Sequence, residues 1–144
     1  LAQVFLFLAA RHQHVADKIR PWLEGGRVVL CDRYTDATIA YQGYGGGVDP
    51  ATIRELNVQA TGGVLPDLTL LFDLDPAEGF RRRHGRRRDH FERQALAFHR
   101  RVRRGYLDIQ RAEPKRVHIV DASRPPAEVS AQARELIEEL LRDV

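Results

Sequence analysis

Three short runs constrain this chain more than anything else in it: Val28–Cys31, Leu68–Leu74 and Val117–Val120. Each is largely apolar on successive residues and rich in β-branched or large aliphatic side chains. A strand that alternates apolar with polar residues buries one face, whereas one that is apolar throughout buries both. Between and after these runs lie stretches of helical pattern, Pro50–Ala60, Pro76–Gly85, Asp89–Gln110 and Ala127–Val144. Strands separated by helices imply a parallel sheet covered by helices, an α/β fold.

The first helix is expected over Ala2–Leu23, where Val4, Phe7, Leu8, Val15, Ile19 and Leu23 recur every three or four positions, and Pro21 with Gly25-Gly26 is expected to end it. In the last helix Ser123 is the expected cap, and Val129, Ala133, Leu136 and Leu140 form the stripe that faces the core. At 144 residues the chain suits one compact domain. It begins at Leu1 and contains no methionine, so it is expected to be part of a longer translation product.

Composition excludes several classes. The single cysteine, Cys31, forms no disulfide framework and no sulfur-rich metal site, and reads as a small apolar residue at a strand end. Of the six histidines, His12 and His14 diverge on a helix and suit no metal. The longest apolar stretch, Val4–Ala10, is too short to span a membrane and lacks the basic leader of a secretion signal, so a soluble cytoplasmic protein is expected. Net charge is only +3, yet eleven arginines fall between Arg81 and Arg104. That local bias points to phosphate as a nucleotide or nucleic acid, or to solvated helix faces.

Each of the three runs ends in or near an aspartate, Asp32, Asp73 or Asp121, at the carboxyl edge where open α/β sheets bind ligands. Asp32-Arg33 leads directly into that edge. An arginine there grips a phosphate bidentately, and an aspartate holds Mg²⁺, often through water, or accepts a proton. Thr38, Tyr41 and Gln42 follow at spacings of three and four, offering a hydroxyl, a ring and a carboxamide on one helix face. A planar amide presents a donor and an acceptor side by side, matching the edge of a pyrimidine. Gly43, Gly45, Gly46 and Gly47 then allow backbone conformations that a Cβ resists.

The string "DRYTDATIAYQGYGGGVD" resembles the Asp-Arg-Tyr motif and following segment of bacterial thymidylate kinases. "VFLFLAARHQHV", "IRPWLEGGRVVLCDRY", "LPDLTLLFDLDPAEGFRRR" and "RRVRRGYLDI" also match that family in order and spacing, so the resemblance covers essentially the whole chain. It implies a parallel sheet of the P-loop nucleoside and nucleotide kinase kind, and transfer of phosphate from ATP to dTMP with Mg²⁺, in dTTP synthesis. It implies further that Phe7 stacks on the thymine, Arg11 reaches its carbonyl edge, Thr38 and Gln42 hydrogen-bond the base, and Tyr41 walls the pocket near the sugar. Arg33 would hold the dTMP phosphate, and Asp32 would organise Mg²⁺ and the accepting phosphate. Ala37 stands where a small polar residue is common in the family, so one nucleotide hydrogen bond is expected to be missing or supplied by water.

The tract "GFRRRHGRRRDHFERQ" resembles the family's lid, at about 80–92, in which bacterial members carry a catalytic arginine. Arg86 is the expected one, with Arg87 or Arg88 as alternatives because the lid is short by a residue, and His90 replaces an arginine expected after Asp89. Arg82 would contact the adenine, as would the backbone around Asp121 and Ala122 in "VDASRP". Most of the remaining arginines are expected to be solvated or paired with acids. The family commonly forms homodimers through packed helices, so a homodimer is expected, with no membrane and no specific nucleic acid as partner.

The resemblance also implies an incomplete domain. The string G-x-x-x-x-G-K-[ST], whose amides and lysine cradle ATP phosphates, occurs nowhere in these residues. In the family it follows a first strand lying between those that here end at Asp32 and Asp73, so a gap in the ladder and exposed apolar edges are expected. These residues alone are therefore expected to be inactive. Two rival readings stay open: another P-loop nucleoside or nucleotide kinase, and a non-catalytic basic module binding nucleic acid through its arginine tract.

Overall fold

The computed structural model describes residues 1–84 and 90–142. The chain divides into two compact units, Leu1–Leu65 and Pro66–Val144.

In the first unit, α1 (Ala2–His14) runs through a π turn (Val15–Ile19) into α2 (Arg20–Glu24). Pro21 does not end this helix. The Arg20 N–H reaches Val15 O across the wider turn, and Pro21, which has no N–H to place, follows just where the bonding register changes. The chain turns instead at Gly25-Gly26, where Gly26 takes φ 71. Val4, Leu8, Val15 and Ile19 are buried with Ile39, Ala40 and Ile53. The last three come from the segment formed by α3 (Thr35–Thr38) and a second π turn (Ile39–Gly45), and from α4 (Pro50–Thr61).

Helix α4 has two well-defined ends. The Asp49 carboxylate accepts from Thr52 N at 3.0 Å and Thr52 Oγ1 at 2.8 Å, and Gly62 closes the helix in the left-handed conformation at φ 59. These bonds hold the Asp49 pKa below its ordinary value. A carboxyl with a depressed folded-state pKa contributes stability above its unfolded value, and that contribution is lost as pH falls through the folded one. Asp49→Ala is therefore expected to lower the thermal midpoint at neutral pH. Asp49→Asn should keep most of the cap while flattening the loss of stability below about pH 4, as read by thermal melts across pH. A Asn variant with the wild-type acid profile would show that other carboxylates carry it.

In the second unit, β1 (Thr69–Asp73) and β2 (Val117–Asp121) pair in parallel, with Thr69 opposite Val117 and Asp73 opposite Asp121. Helices α5 (Pro76–His84) and α6 (His90–Ala112) lie between them in sequence, and α7 (Pro126–Arg142) follows β2. A parallel pair with a helical crossover is what the two apolar runs predict. Val102, Ile109, Val117 and Val120 are buried at the centre of this unit. The α7 stripe of Val129, Ala133, Leu136 and Leu140 is only half-buried. Ser123 does not cap that helix: its hydroxyl donates to Asp121 Oδ1 at 2.6 Å, and the helix begins at Pro126.

Val28–Cys31 is not a strand, contrary to its composition. A strand needs a neighbour for its N–H and C=O groups, and among the described residues the only ladder joins β1 to β2. Val28 and Leu30 are accordingly 66% and 83% exposed, and Phe72 of β1 is half-exposed.

Candidate functional site

In the first unit the half-buried Arg11 is bonded to one other predicted residue, Thr38. Arg11, on α1, donates from Nη2 to Thr38 Oγ1 at 2.8 Å and to Tyr34 O at 2.9 Å, and from Nη1 to Asn57 Oδ1 at 2.6 Å. Its guanidinium also lies 5.5 Å from the centroid of the Tyr34 ring. Burial draws the Arg11 pKa down from its ordinary value, opposed by the nearby Tyr34, Cys31 and Asp36. The group stays a cation, so its remaining N–H groups are donors held in a fixed plane. Thr38, at the end of α3, is buried directly beneath it.

Phe7 lies one turn before Arg11 on α1 and is half-exposed, its ring available for a flat apolar partner. Tyr34 is held from the far side by its hydroxyl, which donates to Val64 O at 3.1 Å. Burial pushes the Tyr34 phenol up, and Arg11 partly offsets this. Tyr34 and Thr38, at the two ends of α3, are thus both tied to Arg11 on α1.

Asp32 and Arg33 are exposed in the turn that enters α3. Arg33 has φ 62, the left-handed region that a residue with a Cβ resists, and it is the non-glycine residue with positive φ among those described. Its guanidinium sits 5.0 Å from the centroid of the Tyr41 ring. Arg33 is exposed, and a guanidinium offers a planar fork of donors of the kind suited to a phosphate. Cys31 is exposed, and its thiol, pushed up by partial burial, donates to Arg33 O at 3.6 Å.

Tyr41 and Gln42 fall within the second π turn, half-buried. Gly46 follows because a Cβ there would lie 2.8 Å from Gln42 O, a clash with backbone. Gly47 takes φ 79, and Val48 N donates to Gln42 O at 3.1 Å. The glycine cluster therefore fixes the backbone of Gln42.

A second group of predicted residues lies on the other unit. Arg82, on α5, donates from Nη1 to Ala122 O at 3.0 Å and from Nη2 to Ser123 O at 3.2 Å, while its Nε bonds Glu78 Oε1 at 2.9 Å. Asp121 accepts from Ser123 N at 3.0 Å and from the Ser123 hydroxyl, contacts that depress its pKa; Arg124 adds a weaker bond at 3.3 Å. Arg82, Asp121 and Ala122 thus meet around one turn at the end of β2. Arg86, with Arg87, Arg88 and Asp89, lies outside the described residues.

Sequence reasoning passed over two residues. Asn57 is buried on α4 and holds Arg11; the signal was a carboxamide at spacing four from Ile53 and Thr61 on an inward edge. Arg103 on α6 grips Asp73 with both prongs, Nε to Oδ1 at 2.7 Å and Nη2 to Oδ2 at 2.8 Å, and reaches Asp75 at 3.4 Å. It occupies the carboxylate at the end of β1. Arg81 and Arg104 pair with Glu78 and Asp108, so the tract does hold the expected surface ion pairs.

Among the described residues no three metal-ligating side chains cluster. A lone exposed carboxylate such as Asp32 suits Mg²⁺, which keeps several waters and takes its other oxygens from substrate phosphates. No described helix is long and apolar enough to cross a membrane.

The family model described as thymidylate kinase matches residues 1–133. Thymidylate kinase from Desulfovibrio desulfuricans is 52% identical, over 98% of this chain and 69% of the relative. That from Nitratidesulfovibrio vulgaris is 53% identical, over 89% and 63%. The crystal structure of thymidylate kinase from Ehrlichia chaffeensis superposes with a TM-score of 0.74 at 32% identity, covering 96% of this chain and 64% of that one. The chain thus spans about two thirds of the length of the relatives it matches. It shares their P-loop kinase fold, and over residues 1–133 it belongs to the thymidylate kinase family.

Proposed function

We propose that this chain forms the greater part of a single kinase domain that transfers the γ-phosphate of ATP to dTMP, giving dTDP for dTTP synthesis in the cytoplasm. The observation that carries this reading is the Arg11–Thr38 contact of 2.8 Å, which sets a fixed cation and a hydroxyl side by side in the unit that also holds Arg33 stacked on Tyr41. Phe7 supplies a ring for the base, Thr38, Gln42 and Arg11 its polar edge, and Tyr41 a wall toward the sugar. Arg33 takes the phosphate.

On the other unit, Arg82 and the turn of Asp121 and Ala122 are the residues for ATP. Phosphoryl transfer is helped by positioning and by positive charge on the transferred oxygens. Mg²⁺, when bound, neutralises phosphate charge, and Asp32 is the carboxylate that would hold it. The lid at about 80–92, with Arg86 as its catalytic residue, rests on the resemblance. So does homodimer formation, toward which the exposed Phe5 and Leu6 of α1 add apolar surface.

The test is a calorimetric titration with dTMP, with dCMP and thymidine as controls. dTMP is expected to bind more tightly than either, and Gln42→Leu should reduce the preference over dCMP by about 10-fold while leaving the preference over thymidine intact. Equal affinity for dTMP and dCMP in the unsubstituted protein would sink the thymine assignment. It would return attention to the arginine tract, whose nucleic-acid binding would be steeply salt-dependent.

A further inference from the structure

Asn57 sits on α4 with 2% of its surface exposed. A buried carboxamide is costly unless both its ends are bonded, and both are. Its Oδ1 accepts from Arg11 Nη1 at 2.6 Å, and its Nδ2 donates to Thr35 O at 3.3 Å. The amide orientation is forced, since a guanidinium only donates and a carbonyl only accepts.

Arg11 is thereby held from two directions. Tyr34 O and Thr38 Oγ1 hold Nη2, and Asn57 on a different helix holds Nη1. One nitrogen alone is a pivot about which the guanidinium swings; two fix its plane and hence the direction of the N–H groups left over. The short bond to Asn57 is also charge-assisted, the stronger kind. We infer that Asn57 is a positioning residue that locks the Arg11 guanidinium against Thr38, and so sets the base preference of the nucleotide site. This inference rests on the thymine reading above.

Two substitutions separate the two bonds of Asn57. Asn57→Asp keeps an acceptor for Arg11 and loses the donor to Thr35 O; Asn57→Leu keeps the shape and loses both. In the full-length protein, Asn57→Leu is expected to cut the preference for dTMP over dCMP by about 10-fold while the preference for dTMP over thymidine stays unchanged. Asn57→Asp should retain both preferences. In an Arg11→Ala background, Asn57→Leu should bring no further loss of base preference.

Retained base preference in Asn57→Leu, or equal loss in the Leu and Asp variants, overturns the inference while leaving the dTMP reading standing. Absence of base preference in the unsubstituted protein overturns both. Nitrogen-15 spectra of the arginine side chains provide a readout that needs no variant to fold: slow rotation about the Arg11 Cζ–Nη1 bond supports the lock, and fast rotation overturns it.

Discussion

Phosphoryl transfer to dTMP is expected to be undetectable for a polypeptide of these 144 residues and to appear, with a gain of at least about 10³-fold, when it is extended upstream by a segment bearing the phosphate-cradling loop of the family. The chemistry requires a nest of backbone amides and a lysine on the β- and γ-phosphates of ATP. No G-x-x-x-x-G-K-[ST] string occurs in the sequence, and abundant arginine does not substitute for oriented amides. A strand laid along Val28–Cys31 would also engage backbone groups that now lack a ladder and cover Val28 and Leu30. Covering two such side chains is worth about 1.5–3 kcal/mol each as an upper estimate, so the extended form should melt at higher temperature. The assay couples ADP release to dTMP addition, in material free of host kinase. Turnover by the 144-residue polypeptide would show that these residues complete the phosphate site by themselves.

The same run shows where sequence stops informing about fold. Thr69–Asp73 and Val117–Asp121 were legible because their apolar character and intervening helices describe a parallel pair, and each supplies the other's ladder. Val28–Cys31 carries an equal or stronger signal and is nonetheless unpaired. Periodicity reports what a segment needs and not whether its neighbour is at hand. Ser123 had the composition of a cap, and Asp121 two residues earlier captured its hydroxyl.

Within the site, spacing alone put Thr38, Tyr41 and Gln42 on one helix face, and the family resemblance assigned their partners together with the roles of Phe7 and Arg11. Neither exposed Asn57, whose importance depends on α1 and α4 meeting at one level, a tertiary fact. Arg103 was hidden differently. It is one of eleven arginines between Arg81 and Arg104, and only the position of α6 against the end of β1 singles it out as the partner of Asp73. Side-chain hydrogen bonding with Asp73 raises the Arg103 pKa above its ordinary value, so the guanidinium stays a cation.

Arg33→Ala is expected to weaken dTMP binding by about 100-fold and thymidine binding by less than about 3-fold, because the partner lost is the phosphate and thymidine has none. The backbone gives this prediction a control. At φ 62 an alanine is strained much as arginine is, by about 1 kcal/mol, whereas a glycine is not. Arg33→Gly should therefore lose the same affinity for dTMP while melting above Arg33→Ala. Arg33→Lys keeps the charge but neither the bidentate fork nor the planar stack on the Tyr41 ring at 5.0 Å, and should fall between wild type and alanine. If Arg33→Ala weakened thymidine as much as dTMP, the arginine would be acting on the pocket through Tyr41 rather than on the phosphate. A glycine variant melting no higher than the alanine variant would mean that the left-handed backbone at Arg33 carries no strain. The expected order, with affinity following the fork and stability following φ, is what a residue bent into an unfavourable backbone for the sake of a ligand should give.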